Sequence, residues 1–327
     1  MTGCAYVVRL INCCYLYSIF LIAGLKIYTK LTTGICRSKK RMDGKTVIVT
    51  GANTGIGKET ARDLARRGAK VILACRNLEE GNKARVDIVQ STGNTLVEVQ
   101  HLDLSSLDSV RKFASNIINT EPRLDVLVNN AGAGGIGNKV TADNLQLGMQ
   151  VNHFGPFLLT CLLVELLKKS APSRIVMVSS GLHMSARFDI DNLNFEKWFG
   201  SHQVYCCSKL ANILTANVLA RKLKGTGVTV NSLHPGVVLT DIWRRLPGIQ
   251  KALITFLLKL LFKDSVEGAQ TAIYLAVSEE VEGVSGRYFV DCKVACMSKA
   301  AMDDDLAKKL WEKSEVMVGL KQEESPF

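Results

Sequence analysis

The sequence predicts an α/β protein: a doubly wound parallel sheet of about seven strands with helices on both faces, in one domain behind an apolar N-terminal segment. Three observations predict it. Apolar strand-like runs alternate with helical stretches from residue 45 to residue 290, and such alternation demands a parallel sheet covered on both sides. The first run, Lys45-Thr46-Val47-Ile48-Val49, meets the turn Thr50-Gly51-Ala52-Asn53-Thr54-Gly55-Ile56-Gly57 and then a helical stretch over residues 58–65. A single composition break near residue 41 separates this region from a basic, apolar start.

Strand two is expected over residues 70–75 and a helix over 77–90. Strand three follows over 95–100, then a helix over 106–120. Strand four spans 124–129, and a long helical pattern covers 142–169. Strand five runs over 174–178, a helix over 203–224, and strand six over 228–233; helical stretches precede a last strand near 287–290. The segment from Ala301 is charged and helix-prone and reads as surface. The organisation is therefore residues 1–41, 42–300 and a 301–327 tail, with no internal repeat.

Strand, glycine turn, helix is the context in which a loop holds a nucleotide pyrophosphate. Gly51, Gly55 and Gly57 let the backbone turn tightly and approach phosphates, while the helix N-terminus supplies amide N–H groups and partial positive charge. The spacing is G-x-x-x-G-x-G.

Residues 4–25 are almost entirely apolar, interrupted by Arg9 and Asn12. The cleanest part, 13–25, is short for a membrane span, and the preceding turns extend it if Arg9 snorkels to the interface. A cleaved signal peptide and an interfacial helix are the competing readings. Charge favours the anchor: the net charge is +11, and residues 1–45 hold eight Lys/Arg against Asp43 alone. Basic residues just after the apolar segment place the remainder on the cytosolic side. The rest of the chain is nearly balanced and shows no basic stripe, which argues against nucleic-acid binding. Ten cysteines and five histidines show no zinc-site spacing, so no metal is expected.

Tyr205-Cys206-Cys207-Ser208-Lys209 sets a tyrosine and a lysine four apart, on one helix face. A nearby ammonium favours phenolate, which would make Tyr205 a general acid in carbonyl reduction and a base in reverse. Strand five ends in Met177-Val178-Ser179-Ser180 and strand four in Asn129-Asn130-Ala131-Gly132, both at the carboxyl edge where open α/β sheets bind ligands. Asn152 opens Val151-Asn152-His153-Phe154-Gly155-Pro156-Phe157. Each has a plain structural reading alone: helix pair, loop cap, turn, helix-bending polar residue.

Together, over roughly residues 43–290, they resemble the short-chain dehydrogenase/reductase family. The resemblance implies a Rossmann-type fold and a catalytic tetrad of Asn152, Ser180, Tyr205 and Lys209. It implies that Ser180 hydrogen-bonds the substrate carbonyl, with Ser179 the alternative serine. Tyr205 would exchange the proton, Lys209 would bind the nicotinamide ribose and tune Tyr205, and Asn152 would hold a relay water. The segments TGANTGIGKETA, LACRN, VNHFGPFLLT, YCCSKLAN, GTGVTVNSLHPGVV and EGAQTAIYLA, with the apolar start, are similar to the membrane-anchored retinol dehydrogenase 11 to 14 subgroup. Ala133-Gly134-Gly135 departs from the bulkier residues usual there, which loosens the substrate assignment. His183 fits the subgroup, with a catalytic role and a polar loop role both open.

Strand two ends at Cys75, and Arg76 follows where NAD enzymes place an acid on the ribose 2′-hydroxyl. A guanidinium suits a 2′-phosphate instead, so NADP(H) is the expected cofactor, with Lys58 adding charge. By resemblance, Asp103 contacts adenine, Asn130, Ala131 and Gly132 line the cofactor, and Pro235, Gly236 and Thr240 lie on its nicotinamide side. The segment after strand six, with Trp243, Leu246 and residues 249–262, is apolar with two lysines. It suits a lipophilic substrate and a second bilayer contact, or else a packing helix or dimer surface. The expected function is reduction of a lipophilic carbonyl, retinal-like first, at the endoplasmic reticulum membrane with the catalytic domain in the cytosol. A steroid or lipid-aldehyde reductase is the alternative enzyme, and a non-catalytic NADP-binding scaffold the alternative of another class. A homo-oligomer stays open.

Overall fold

The computed structural model describes residues 24, 30, 32–237 and 263–327. Strands β1 (Thr46–Thr50), β2 (Lys70–Cys75), β3 (Val97–His101), β4 (Val126–Asn129), β5 (Ser173–Val178), β6 (Val228–His234), β7 (Tyr288–Val290) and β8 (Lys293–Val294) form one eight-stranded sheet. Its order is β3-β2-β1-β4-β5-β6-β7-β8. The first seven strands pair in parallel, as expected. The eighth, antiparallel to β7 and two residues long, is too short to leave a periodic signal.

Helices α1 (Gly55–Arg66), α2 (Leu78–Thr92), α3 (Leu107–Thr120), α4 (Gly155–Lys169), α5 (Ser201–Lys222) and α6 (Ser265–Val277) connect the strands, and α7 (Asp304–Met317) follows them. Strand side chains alternate between two cores. Ile48 and Ile72 join the layer of α3, α4, α5 and α7, whereas Val47, Val49, Val71 and Leu73 join that of α1, α2 and α6. Strand order reverses between β1 and β4, which opens a crevice at the carboxyl edge.

The expected long helix over 142–169 is broken. A helical turn at Leu147–Met149 leads into a π-turn at Gln150–Phe154 before α4 begins. Pro156 lacks the N–H that an α-helix would send to the Asn152 carbonyl, so a regular ladder cannot run through this segment. Leu147–Lys169 is also the one stretch among the described residues long and apolar enough to cross a membrane, but 83% of its apolar window is buried inside the protein. It is a core helix. The apolar segment over 4–25, Gly24 apart, and the residues Trp243, Leu246 and 249–262 lie outside the described residues.

A strap over 33–41 crosses the face of α6. Gly34 N donates to Asp291 Oδ1 at 3.1 Å, and Cys36 N to Gln270 Oε1 at 3.1 Å. Arg67 Nη1 then donates to the Ser38 and Lys40 carbonyls at 2.9 and 3.0 Å.

The segment after Ala301, expected at the surface, instead docks on the core. Ala307, Leu310, Trp311 and Ser314 of α7 are buried. Trp311 meets Phe157 of α4 edge-on at 4.8 Å, and its Nε1 donates to Glu315 at 2.7 Å. Trp311→Ala should therefore cost about 3–5 kcal/mol of stability, read by denaturant unfolding. A surface appendage would lose under about 0.5 kcal/mol.

Candidate active site

The glycine turn is built by contacts across the crevice. Asn130 N and Ala131 N both donate to Thr50 Oγ1 at 3.0 Å, and Asn130 Nδ2 donates to the Thr50 carbonyl at 2.9 Å. The strand-four end is thus clamped to the strand-one end by a hydroxyl the sequence reading did not single out. Gly51 has φ +65°, and a Cβ there would press on Ala131 at 3.0 Å. A Cβ on Gly57 would sit 2.5 Å from the Gly51 carbonyl oxygen. Gly55, at φ +58°, meets nothing within 4 Å of its Cβ position. Ala52, Asn53, Thr54 and Ile56 complete a turn with open space above Gly55, and α1 starts there with no acid in its first turn.

Arg76, at the carboxyl end of β2, is exposed and makes no side-chain hydrogen bond or ion pair among the described residues. Lys58 does not add to it: its ammonium lies 2.7 Å from Asp87, which Arg62 also holds at 2.6 Å. Asp103 is half-buried, and its Oδ1 accepts from Ser105 N at 2.9 Å and Ser105 Oγ at 2.6 Å. Pro235 and Gly236 leave β6 at the same edge, Gly236 at φ +88°. Thr240 lies outside the described residues.

The four tetrad positions converge. Lys209 is buried, its Nζ donates to the Val178 carbonyl at 3.0 Å, and it lies 5.6 Å from the centre of the Tyr205 ring. A Cβ on Gly132 would stand 3.1 Å from that Nζ and 3.5 Å from Asn152 Oδ1, so the turn after β4 closes directly over both. The Ser180 hydroxyl neighbours the Tyr205 phenol, and its Oγ accepts from Leu182 N at 3.2 Å. Ser179 is turned away: its hydroxyl donates to the Lys209 carbonyl at 2.6 Å. Asn152 sits in the π-turn, fully buried. Its Nδ2 donates to the Ala133 carbonyl at 2.9 Å and to Ser208 Oγ at 3.0 Å, while its Oδ1 accepts from Ala133 N at 2.7 Å. Ala133 and Ser208, which the sequence does not mark as positioning residues, therefore fix Asn152; their adjacency to the Asn130-Ala131-Gly132 run and to Lys209 is the available signal.

The electrostatics differ from the expectation for Tyr205. Burial raises its phenol above the ordinary value, and the neighbouring Ser180 hydroxyl opposes this only in part. Burial also pushes Lys209 down to about 8. Desolvation is thus the dominant influence on Tyr205, and the proton rests on the tyrosine. His183 is buried, with Nδ1 2.8 Å from the Ser180 carbonyl and Nε2 accepting from Ser298 N at 3.2 Å. The Nε2 role fixes the Nδ1–H tautomer, so this imidazole braces the Ser180 turn. Burial lowers its pKa.

This arrangement can hydrogen-bond a carbonyl oxygen and deliver a phenol proton to it, beside a cradle shaped for phosphates. The chain belongs to the short-chain dehydrogenase family, whose model matches residues 45–248. Within that family it is similar to retinol dehydrogenases. It is 46% identical to human retinol dehydrogenase 11 over 91% of this chain and 93% of that protein. It is 49% identical to human retinol dehydrogenase 14 over 85% of this chain and 88% of that protein. A short chain dehydrogenase from Escherichia coli CFT073, solved in complex with NADPH, superposes with a TM-score of 0.61 at 26% identity, covering 78% of this chain and 99% of the other.

The buried lysine yields a stability prediction. Its lowered value means that the folded state holds the proton less tightly than the unfolded chain does. The destabilisation is full below about pH 8 and fades as pH rises toward the unfolded value of 10.5. Lys209→Met should raise stability at pH 7 by up to about 3 kcal/mol, with the difference vanishing above pH 10.5. Equal or lower stability of the variant at pH 7 would show that the buried ammonium carries no such cost.

Proposed function

We propose that this protein is an NADP(H)-dependent oxidoreductase that interconverts a lipophilic alcohol and its carbonyl compound, of retinol and retinal type, running reductively with NADPH. The observation that carries this reading is the convergence of Ser180, Tyr205 and Lys209, with the Lys209 ammonium 5.6 Å from the centre of the Tyr205 ring, at the edge that holds the glycine turn. The names of the retinol dehydrogenases support the substrate class, and the NADPH complex of the bacterial relative supports the cofactor.

The residues present fit the dinucleotide. Gly51 to Gly57 and the α1 N-terminus would hold its pyrophosphate, and Arg76 its 2′-phosphate. Asp103 would hold adenine, Asn130, Ala131 and Gly132 would line it, and Pro235, Gly236 and Thr240 would flank the nicotinamide. When bound, it supplies the hydride. Ser180 hydrogen-bonds the substrate oxygen as negative charge develops there. Tyr205, kept neutral by burial, donates its proton to that oxygen, and Lys209 steadies the resulting phenolate. The Asn152 side chain is used by Ala133 and Ser208, so its relay water would bind at its carbonyl, which Pro156 cannot cap. Residues 1–41 would carry the membrane anchor and end in the strap that packs on α6, 42–300 would be the catalytic domain, facing the cytosol at the endoplasmic reticulum, and 301–327 a C-terminal segment whose helix packs on the core.

The first test is turnover by detergent-solubilised protein with NADPH across retinal, steroid ketones and medium-chain aldehydes; retinal inactive beside an active steroid would replace the substrate class. Tyr205→Phe should nearly abolish turnover while leaving NADPH affinity unchanged, because the loss falls on the transition state. For the native protein, kcat/KM for reduction should be level below about pH 8 and fall above it as Lys209 loses its proton. A profile rising through pH 8 would contradict the assigned roles. Arg76→Asp should weaken NADPH about ten- to a hundredfold and NADH far less, as befits a charge-assisted contact of roughly 1.5–3 kcal/mol. Equal NADPH affinity in a titration of the variant would remove Arg76 from phosphate recognition.

A further inference from the structure

The strap fixes where the chain enters the domain. Gly34 is pressed against Asp291, just past the end of β7; a Cβ on Gly34 would overlap the Asp291 carbonyl. Lys30 Nζ lies 3.9 Å from Glu267, in the first turn of α6. Because α6 runs antiparallel to the strands, the strap descends from the carboxyl edge at Lys30 and Gly34 to the amino edge at Met42. The residues before Lys30 therefore join at the edge that carries Ser180, Tyr205 and Lys209.

That edge also exposes large apolar side chains. Leu182 and Met184 follow Ser180, Trp198 and Phe199 precede α5, Val237 follows β6, and Val266 adjoins Glu267; these are 37–56% exposed. We infer that this edge is the face the domain turns to a phospholipid bilayer, so that a lipophilic substrate passes between the bilayer and the site without crossing bulk water. The inference rests on the proposed membrane anchor. A bilayer is the occupant because the tether is short. From residue 25 to Gly34 an extended chain spans at most about 30 Å, and to Lys30 about 17 Å. A domain of this size is about 45–50 Å across. The exit edge stays next to the bilayer, and the opposite edge cannot reach it.

Tryptophan quenching by brominated phosphatidylcholine tests this on the full chain in nanodiscs. Trp311 is buried in the C-terminal layer and serves as an internal control. In a Trp243→Phe background, Trp198 should lose half or more of its emission in brominated lipid, and adding Trp198→Phe should remove that quenching. Leu96→Trp, just before β3 at the opposite edge, should restore none. Phe199→Trp is the second reporter should Trp198→Phe fail to fold. Unquenched rim tryptophans, or quenching at position 96, would overturn the inference. So would a Trp198 blue shift that tracks protein concentration in detergent, which would assign the edge to a second copy. Retinal turnover in micelles separates the two readings: turnover with an unquenched rim refutes only the orientation, and a quenched rim with no turnover of any lipophilic carbonyl refutes only the substrate.

Discussion

Lys209 keeps an ammonium in a buried place where, among the described residues, it donates to a main-chain carbonyl, that of Val178. Much of the site follows from housing that group. The Ser179 hydroxyl donates to the Lys209 carbonyl, so the end of β5 and the middle of α5 are locked together. A side chain at residue 132 would crowd the ammonium, whose Nζ would have to shift by a few tenths of an ångström. The π-turn brings Asn152 to the other side of the same glycine, and Ser208, one residue before the lysine, holds the Asn152 amide. Burial of this kind opposes stability, and it persists because a lysine lowered to about 8 can change its proton occupancy near neutral pH.

The support extends to the far end of the chain. His153, next to Asn152 in the π-turn, lies 2.9 Å from Ser314 of α7 through Nε2, and burial pushes its pKa down to about 3. The Asn212 amide adjoins the same ring and leans on the Val178 carbonyl at 3.5 Å, the acceptor that Lys209 uses. Buried polar groups therefore lie between the C-terminal helix and the carbonyl under the lysine, with His153 Nδ1 and Asn212 Oδ1 making no hydrogen bond. Neutral imidazole suits this place, since a charge there would face no carboxylate. Trp311 and Phe157 close the apolar wall beside it.

What was legible in the sequence was local. The glycine turn announced itself because φ above zero at Gly51 and Gly55, and the close approach at Gly57, leave few residue choices. The parallel strands were legible because strands buried on both faces read as continuous apolar runs. The tetrad was legible as an ordered set of residues at strand ends and on one helix face. What was missed depends on partners distant in sequence. The buried face of α7 is carried by Leu310, Trp311 and Ser314, with Val318 just beyond, at three- and four-residue steps that its many charged residues obscure. The Lys58–Asp87 pair joins two different helices, and no spacing rule reaches it. The Tyr205 shift was misjudged because adjacency of a lysine says nothing about how much water both groups lose.

The two edges of the sheet show how satisfaction of polar groups divides structure from function. At the amino edge, buried Asp125 accepts from Arg123 at 2.6 and 2.7 Å, from Lys45 at 2.9 Å and from Thr46 N at 3.0 Å, and Lys70 meets Glu121 at 2.7 Å. With Glu98, which Lys70 also meets at 3.2 Å, three cations here face three carboxylates and neutralise one another. At the carboxyl edge Arg76 has no partner among the described residues, Gly55 faces open space, α1 begins without an acid, and Lys209 leans on one carbonyl. Of these groups only Lys209 is already desolvated, so a ligand that supplied it a partner would meet no further desolvation cost there. The fold's charged groups are thus mutually paired at the amino edge, whereas Arg76 and Lys209 keep spare bonding capacity at the carboxyl edge among the described residues.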